Sequence, residues 1–211
     1  MSLERALQDS REYFTGKITK HGPAPQGVDY NGAQAQTARF EQLAKIIDPS
    51  SHFDVIDFGC GYGALLDYLQ QRGLDFSYYG FDVLASMVDA GRQAHKEQPN
   101  ALFTTDESAL SVCDYVIAGA ILNNKFGAPV ADWRDHCLVV LDKINSLSAK
   151  GFAFNLLSSY SDADGMAQRP DLYFADPLAY FDHCQRKYSK NVSLLHDYGL
   201  NDFTILVRKL A

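Results

Sequence analysis

The chain has 211 residues, 46% of them hydrophobic and 21% charged, enough for one well-buried α/β domain and too few for a second full one. A formal charge of −7 and a pI near 5.2, with no basic run, argue against a general nucleic-acid binder, because phosphate backbones are met by Lys and Arg. No charged segment followed by an apolar one opens the chain, and no apolar run approaches the ~20 residues a membrane helix needs. A soluble protein without membrane attachment is expected. Four cysteines, at 60, 113, 137 and 184, show neither C-x-x-C nor zinc-ligand spacing. Scattered thiols of this kind fit a cytoplasmic protein. The oligomeric state stays open.

Residues 3–14 read as a short amphipathic helix, with Leu3, Ala6, Leu7, Ser10 and Phe14 near one face. Breakers follow (Gly16, Gly22, Pro23, Pro25, Gly27), interspersed with His21, Asp29, Tyr30 and Asn31, and predict a loop. A second helix begins after Asn31-Gly32 and ends at Asp48-Pro49. The pattern then alternates. Strands are predicted over 53–58, 77–81, 101–105, 114–118 and 151–157, with helices to about residue 72, over 85–95 and over 133–147. Residues 158–176 are polar and read as a loop or lid. Pro177 starts a further helix to about Tyr188, and segments 192–197 and 203–208 close the chain as a hairpin around Gly199. Alternation of this kind predicts a mostly parallel sheet with helices on both faces.

Asp57-Phe58-Gly59-Cys60-Gly61-Tyr62-Gly63 is the most informative stretch. It joins the first predicted strand to a helix start. Three glycines at alternate positions let a backbone bend sharply and approach a ligand, and the following helix offers unpaired N–H groups. Cys60 fits as a small residue in a tight turn. Gly59-x-Gly61-x-x-Ala64 formally satisfies the dinucleotide pattern. Asp57 favours something else. A carboxylate two residues before the turn repels a pyrophosphate and attracts a cofactor that carries an ammonium and a sulfonium group. Asp82, ending the second strand 19 residues after Gly63, can accept hydrogen bonds from ribose hydroxyls. Asp106, ending the third strand, is either a turn cap or, with its neighbour, a contact for an adenine amino group.

Ile56 to Gly63, with Asp82 ending the second strand, resembles the class I S-adenosylmethionine-dependent methyltransferases. The final hairpin, residues 191–210, resembles that family's last strand pair, so the likeness covers roughly residues 50–211. It implies a Rossmann-like, seven-stranded sheet in the order 3-2-1-4-5-7-6, strand 7 antiparallel. Residues 1–50 form a helix-loop-helix lid on a single domain. S-adenosylmethionine is the implied cofactor. Gly59, Cys60, Gly61 and Gly63 would line its methionine and ribose part, Asp57 its amino end, Asp82 and Val83 the ribose side, and Asp106 and Ala118 the remainder. The segment 22–31, with Arg39-Phe40, resembles a bacterial subgroup of these enzymes. By that likeness Tyr30 and Arg39 are candidate cofactor contacts, Arg39 for the carboxylate.

Ala118-Gly119-Ala120-Ile121-Leu122-Asn123-Asn124 lacks the Asn/Asp-Pro-Pro-Tyr/Phe motif of many nucleic-acid and glutamine methylases. A small-molecule methyl acceptor is therefore expected. No aspartate set suggests a catalytic metal. No catalytic residue stands out. Acceptor-side candidates are His21, Tyr30, Asn123, Asn124, Tyr160 and His196. A nicotinamide-dependent oxidoreductase and a non-catalytic cofactor-binding protein of the same fold are the alternatives.

Overall fold

The computed structural model describes residues 2–209. The expected starts of the lid and domain at residue 1, the hairpin's end at 210 and the domain's end at 211 lie outside them. The chain opens with α1 (Leu3–His21), capped by the Ser2 side chain, which accepts from Arg5 N. A 3-10 turn (Pro25–Val28) leads to α2 (Ala33–Leu43). Then come β1 (Phe53–Phe58), α3 (Ala64–Gln71), β2 (Phe76–Phe81), α4 (Ala85–Ala94), β3 (Ala101–Thr104), β4 (Cys113–Ala118), α5 (Val130–Leu147) and β5 (Ser148–Ser158). The chain continues through α6 (Ala163–Ala167), β6 (Phe174–Ala175), α7 (Pro177–Lys187), β7 (Asn191–Leu195) and β8 (Asp202–Arg208). No helix among the described residues is long and apolar enough to cross a membrane.

The strands form one sheet in the order β3-β2-β1-β4-β5-β8-β7, the expected order with β8 as the antiparallel seventh strand. The strand count needs correcting from seven to eight. The two-residue β6 pairs parallel with Leu157 and Ser158 at the end of β5. Alternate residues of each strand feed two apolar layers. Ile56, Val116 and Phe152 meet α5 and α7, whereas Val55, Ile117 and Ala153 meet α2 and α3. Between β3 and β4 the chain makes only a 3-10 turn, Glu107–Ala109, so the sheet face beside Leu102, 51% exposed, has no helix over it.

Two other expectations change. α1 does not stop before Gly16 but runs on to His21, and ends where Gly22 takes φ 66. One interior glycine costs a helix only about 1 kcal/mol, less than the burial of Ile18 returns. Residues 158–176 are not an open loop. They hold α6 and β6, and they clamp the segment after β4 through Tyr173 N to Asn123 O (2.7 Å) and Phe126 N to Asp171 O (2.8 Å).

Candidate functional site

The parallel strands bring their C-terminal ends together at one edge, and the turn after β1 sits at the centre of it. Gly59 and Cys60 both donate their backbone N–H to Phe81 O, at 2.7 and 2.9 Å, which folds the turn back over β2. Gly59, Gly61 and Gly63 all have left-handed backbones, with φ of 83°, 54° and 88°. Space matters as much as conformation. A Cβ on Gly59 would stand 2.3 Å from Ile121 Cγ2, and one on Gly61 would stand 2.8 Å from Val28 Cγ1. The turn after β4 and the N-terminal segment therefore both pack directly on the glycine turn.

Asp82 braces this turn. Its Oδ2 accepts from Gly61 N at 3.0 Å and its Oδ1 from Leu84 N at 2.9 Å. Burial nevertheless lifts its carboxyl above the ordinary carboxylate range. Asp57 lies deeper, 5% exposed, on the sheet face toward α2 and α3. The Tyr78 hydroxyl donates to its Oδ2 at 2.6 Å. Among the described residues no cation pairs with it. Burial, aided by the negative charge of Asp82, raises its pKa to about 7 against the opposing Tyr78 hydrogen bond.

These groups line one cavity of about 600 Å³. Its floor is Asp57, Gly59, Cys60 and Gly61, with Asp82 and Val83 on the β2 side and Gly119 to Leu122 on the β4 side. The N-terminal segment closes it from above with Leu7, Ser10, Arg11 and Phe14 of α1, then Val28 and Tyr30, then Gln36 and Phe40 of α2. One face of α5 (Trp133, His136, Val139, Val140 and Lys143) completes the wall beside Glu107. Burial holds the His136 imidazole below its ordinary pKa, so it is neutral at neutral pH, and its ring packs 5.2 Å from that of Trp133.

Of the residues singled out in the sequence, Asp57, Gly59, Cys60, Gly61, Asp82, Val83 and Tyr30 line the cavity. Gly63 faces away, toward Phe103 and His95. Ala118 is buried just behind Gly119. Asp106 caps the 3-10 turn through Ser108 N at 2.9 Å, and its neighbour Glu107 takes the cavity position. Arg39 is engaged elsewhere. Its Nε and Nη2 donate to Asp202 at 2.6 and 2.7 Å, and its Nη1 donates to Ala35 O. One turn earlier on the same helix, Gln36 reaches the cavity and accepts from the Tyr62 hydroxyl at 3.4 Å.

The acceptor-side candidates do not converge. Asn123 is buried, with its Oδ1 accepting from Leu157 N at 3.0 Å, and Asn124 bridges to Leu172. His21 is exposed in the last turn of α1, and the exposed His196 stacks 6.0 Å from Tyr160. The contributions of α1 and α5 are absent from the sequence-based list. The apolar stripe of α1 was visible as a pattern, but that it covers the strand ends is a property of the packed chain.

A family model described as a methyltransferase domain matches residues 4–207. The chain belongs to the methyltransferase family. It is 47% identical over 167 residues to Rv1506c of Mycobacterium tuberculosis, a methyltransferase by name, and this match covers 79% of the chain and 99% of that protein. Among solved structures, human N-acetylserotonin methyltransferase in complex with S-adenosylmethionine aligns with a TM-score of 0.65 at 16% identity, over 99% of this chain and 66% of that one. The N-methyltransferase NodS from Bradyrhizobium japonicum, in complex with S-adenosylhomocysteine, aligns with a TM-score of 0.64 at 12% identity, over 95% and 98% of the two chains. At these identities the two structures share this methyltransferase's fold.

Proposed function

We propose that this methyltransferase takes its methyl group from S-adenosylmethionine and passes it to a small-molecule acceptor. One observation carries the cofactor reading. The backbone turn of Gly59, Cys60 and Gly61, a buried acid that no cation pairs with among the described residues, and a second acid at the end of β2 all line the same cavity. Asp57 fits an ammonium group, since a cation there would relieve its unpaired burial. Asp82 retains lone pairs beyond its two backbone donors and fits ribose hydroxyls. A pyrophosphate fits poorly against two carboxylates, which disfavours a nicotinamide cofactor.

When bound, the cofactor supplies a methyl group already activated by its sulfonium. What remains for the chain is alignment and exclusion of water, worth up to about 7–11 kcal/mol in favourable cases. The glycine turn and the two acids fix one end of the cavity. Leu7 and Phe14 of α1 shield it from solvent. For an acceptor that still holds its proton, the neutral His136 imidazole is a base already inside the cavity. The small-molecule reading rests on a largely apolar pocket roofed by α1, with a net charge of −7 on the chain. A cytoplasmic setting agrees with four free, buried cysteines.

Calorimetric titration tests the cofactor reading. S-adenosylmethionine and S-adenosylhomocysteine are expected to bind folded protein at micromolar concentration, and Asp82→Ala to abolish the signal. No heat from either ligand with the wild type would sink the proposal.

A further inference from the structure

Among the described residues lining the cavity, Ala120 alone has a left-handed backbone without being glycine, at φ 60. An alanine adopts that conformation only against a steric penalty, so something must hold it. The Asn155 side chain does. Its Oδ1 accepts from Ala120 N at 2.7 Å, and its Nδ2 donates to Asp202 Oδ2 at 2.7 Å. The two neighbours fix the orientation of the amide. A flip would set its oxygen against the carboxylate and its NH₂ against the N–H.

The chain of contacts goes further. Asp202 receives the Arg39 guanidinium, whose Cζ lies 5.2 Å from the centre of the Tyr30 ring. Asn155 is 1% exposed and Asp202 is fully buried, so bulk solvent does not compete for these bonds in the intact protein. Both ends of this chain, Ala120 and Tyr30, are cavity walls, and Asn155 is not. The held turn also seats Ile121 on Gly59.

We propose that Asn155 is a positioning residue for the cofactor site, setting the turn after β4 against the N-terminal segment that carries Tyr30. It acts through Ala120 and Asp202 without touching the ligand. The proposal rests on the cavity's binding S-adenosylmethionine.

Calorimetry with S-adenosylhomocysteine on folded variants tests it. Asn155→Ala is expected to bind about tenfold more weakly, the scale of one lost buried hydrogen bond. Adding Ala120→Gly should recover most of that affinity, because glycine takes a positive φ freely. Each titration is run well below the melting transition of the variant, which separates positioning from general destabilisation. If Asn155→Ala does not fold, Asn155→Asp carries the test. The new carboxyl can still accept from Ala120 N but faces Asp202, with Arg39 as the adjacent cation and Tyr30 and Tyr198 close by. Its affinity should rise as the pH falls and a shared proton restores the bond. A folded Asn155→Ala protein that binds like wild type overturns the proposal alone. So does a double variant no tighter than the single one, or an Asn155→Asp protein with wild-type affinity at every pH. No binding by the wild type overturns the cofactor reading, and this proposal with it.

Discussion

The Tyr78 hydroxyl donates to Asp57 Oδ2 at 2.6 Å beneath the glycine turn, and both groups are buried. This bond holds the acid in place without neutralising it.

Proton linkage follows. The folded-state pKa of Asp57, about 7, stands above its ordinary 3.8, so the folded chain keeps a proton that the unfolded chain releases. Stability from this group is fully present below about pH 4 and is lost as the pH rises through about 7, by on the order of 4 kcal/mol. Urea unfolding at about pH 5 and about pH 8 should show a smaller loss for Asp57→Asn than for wild type. Binding a cationic ligand near pH 7 should also expel about half a proton. The binding enthalpy should then vary between buffers of different ionisation enthalpy for wild type and not for Asp57→Asn.

Gly59→Ala should be among the most damaging small substitutions. The new methyl would meet Ile121 at 2.3 Å on a backbone of φ 83. Left-handed strain and overpacking together predict a loss of about 2–4 kcal/mol. Chemical denaturation measures this, and a shift below about 1 kcal/mol would show that the turn after β4 yields easily.

The α1 cover has its own test. Phe14 is half-buried and lines the cavity. Phe14→Ala should cost bound ligand about 1 kcal/mol, roughly a fivefold faster release of S-adenosylhomocysteine. The measurement needs no label, because Trp133 is the single tryptophan and lines the same cavity. Stopped-flow tryptophan fluorescence should therefore report release directly. An unchanged rate would argue that α1 roofs the site without closing it.

Arg39 and Asp202 form a buried pair, so removing one partner leaves the other uncompensated. Arg39→Met or Asp202→Leu alone should destabilise by about 3–5 kcal/mol, and the double variant by clearly less than their sum. Thermal or urea unfolding of the four proteins closes the cycle. Additive losses would mean that the two side chains do not act as a pair.

Much of this architecture was legible in sequence because its signals are local. The alternation of strands and helices and the glycine turn depend on neighbours a few residues apart, and Asp82 stands at the predictable end of a strand. What was not legible depends on distance. Arg39 resembles a ligand contact until its partner, 163 residues away, comes into view. Gln36, Arg11 and His136 carry no motif, and their place in the cavity follows from how α1, α2 and α5 pack. Gly16 suggested a break that the buried stripe of α1 overrides. The polarity of residues 158–176 hid their pairing with the segment after β4.

The Arg39–Asp202 pair also bears on how the molecule is made. Asp202 opens β8, so a growing chain has made β1 to β7 before the partner of Arg39 leaves the ribosome. Until then the helix bearing Arg39 has no counter-ion to dock against, and β5 lacks the neighbour that covers its far edge. The cofactor chamber is therefore expected to assemble only after β8 has emerged, as a late, high-contact-order step. A chain cut short before β8 should stay open at the site however well its first strands have formed.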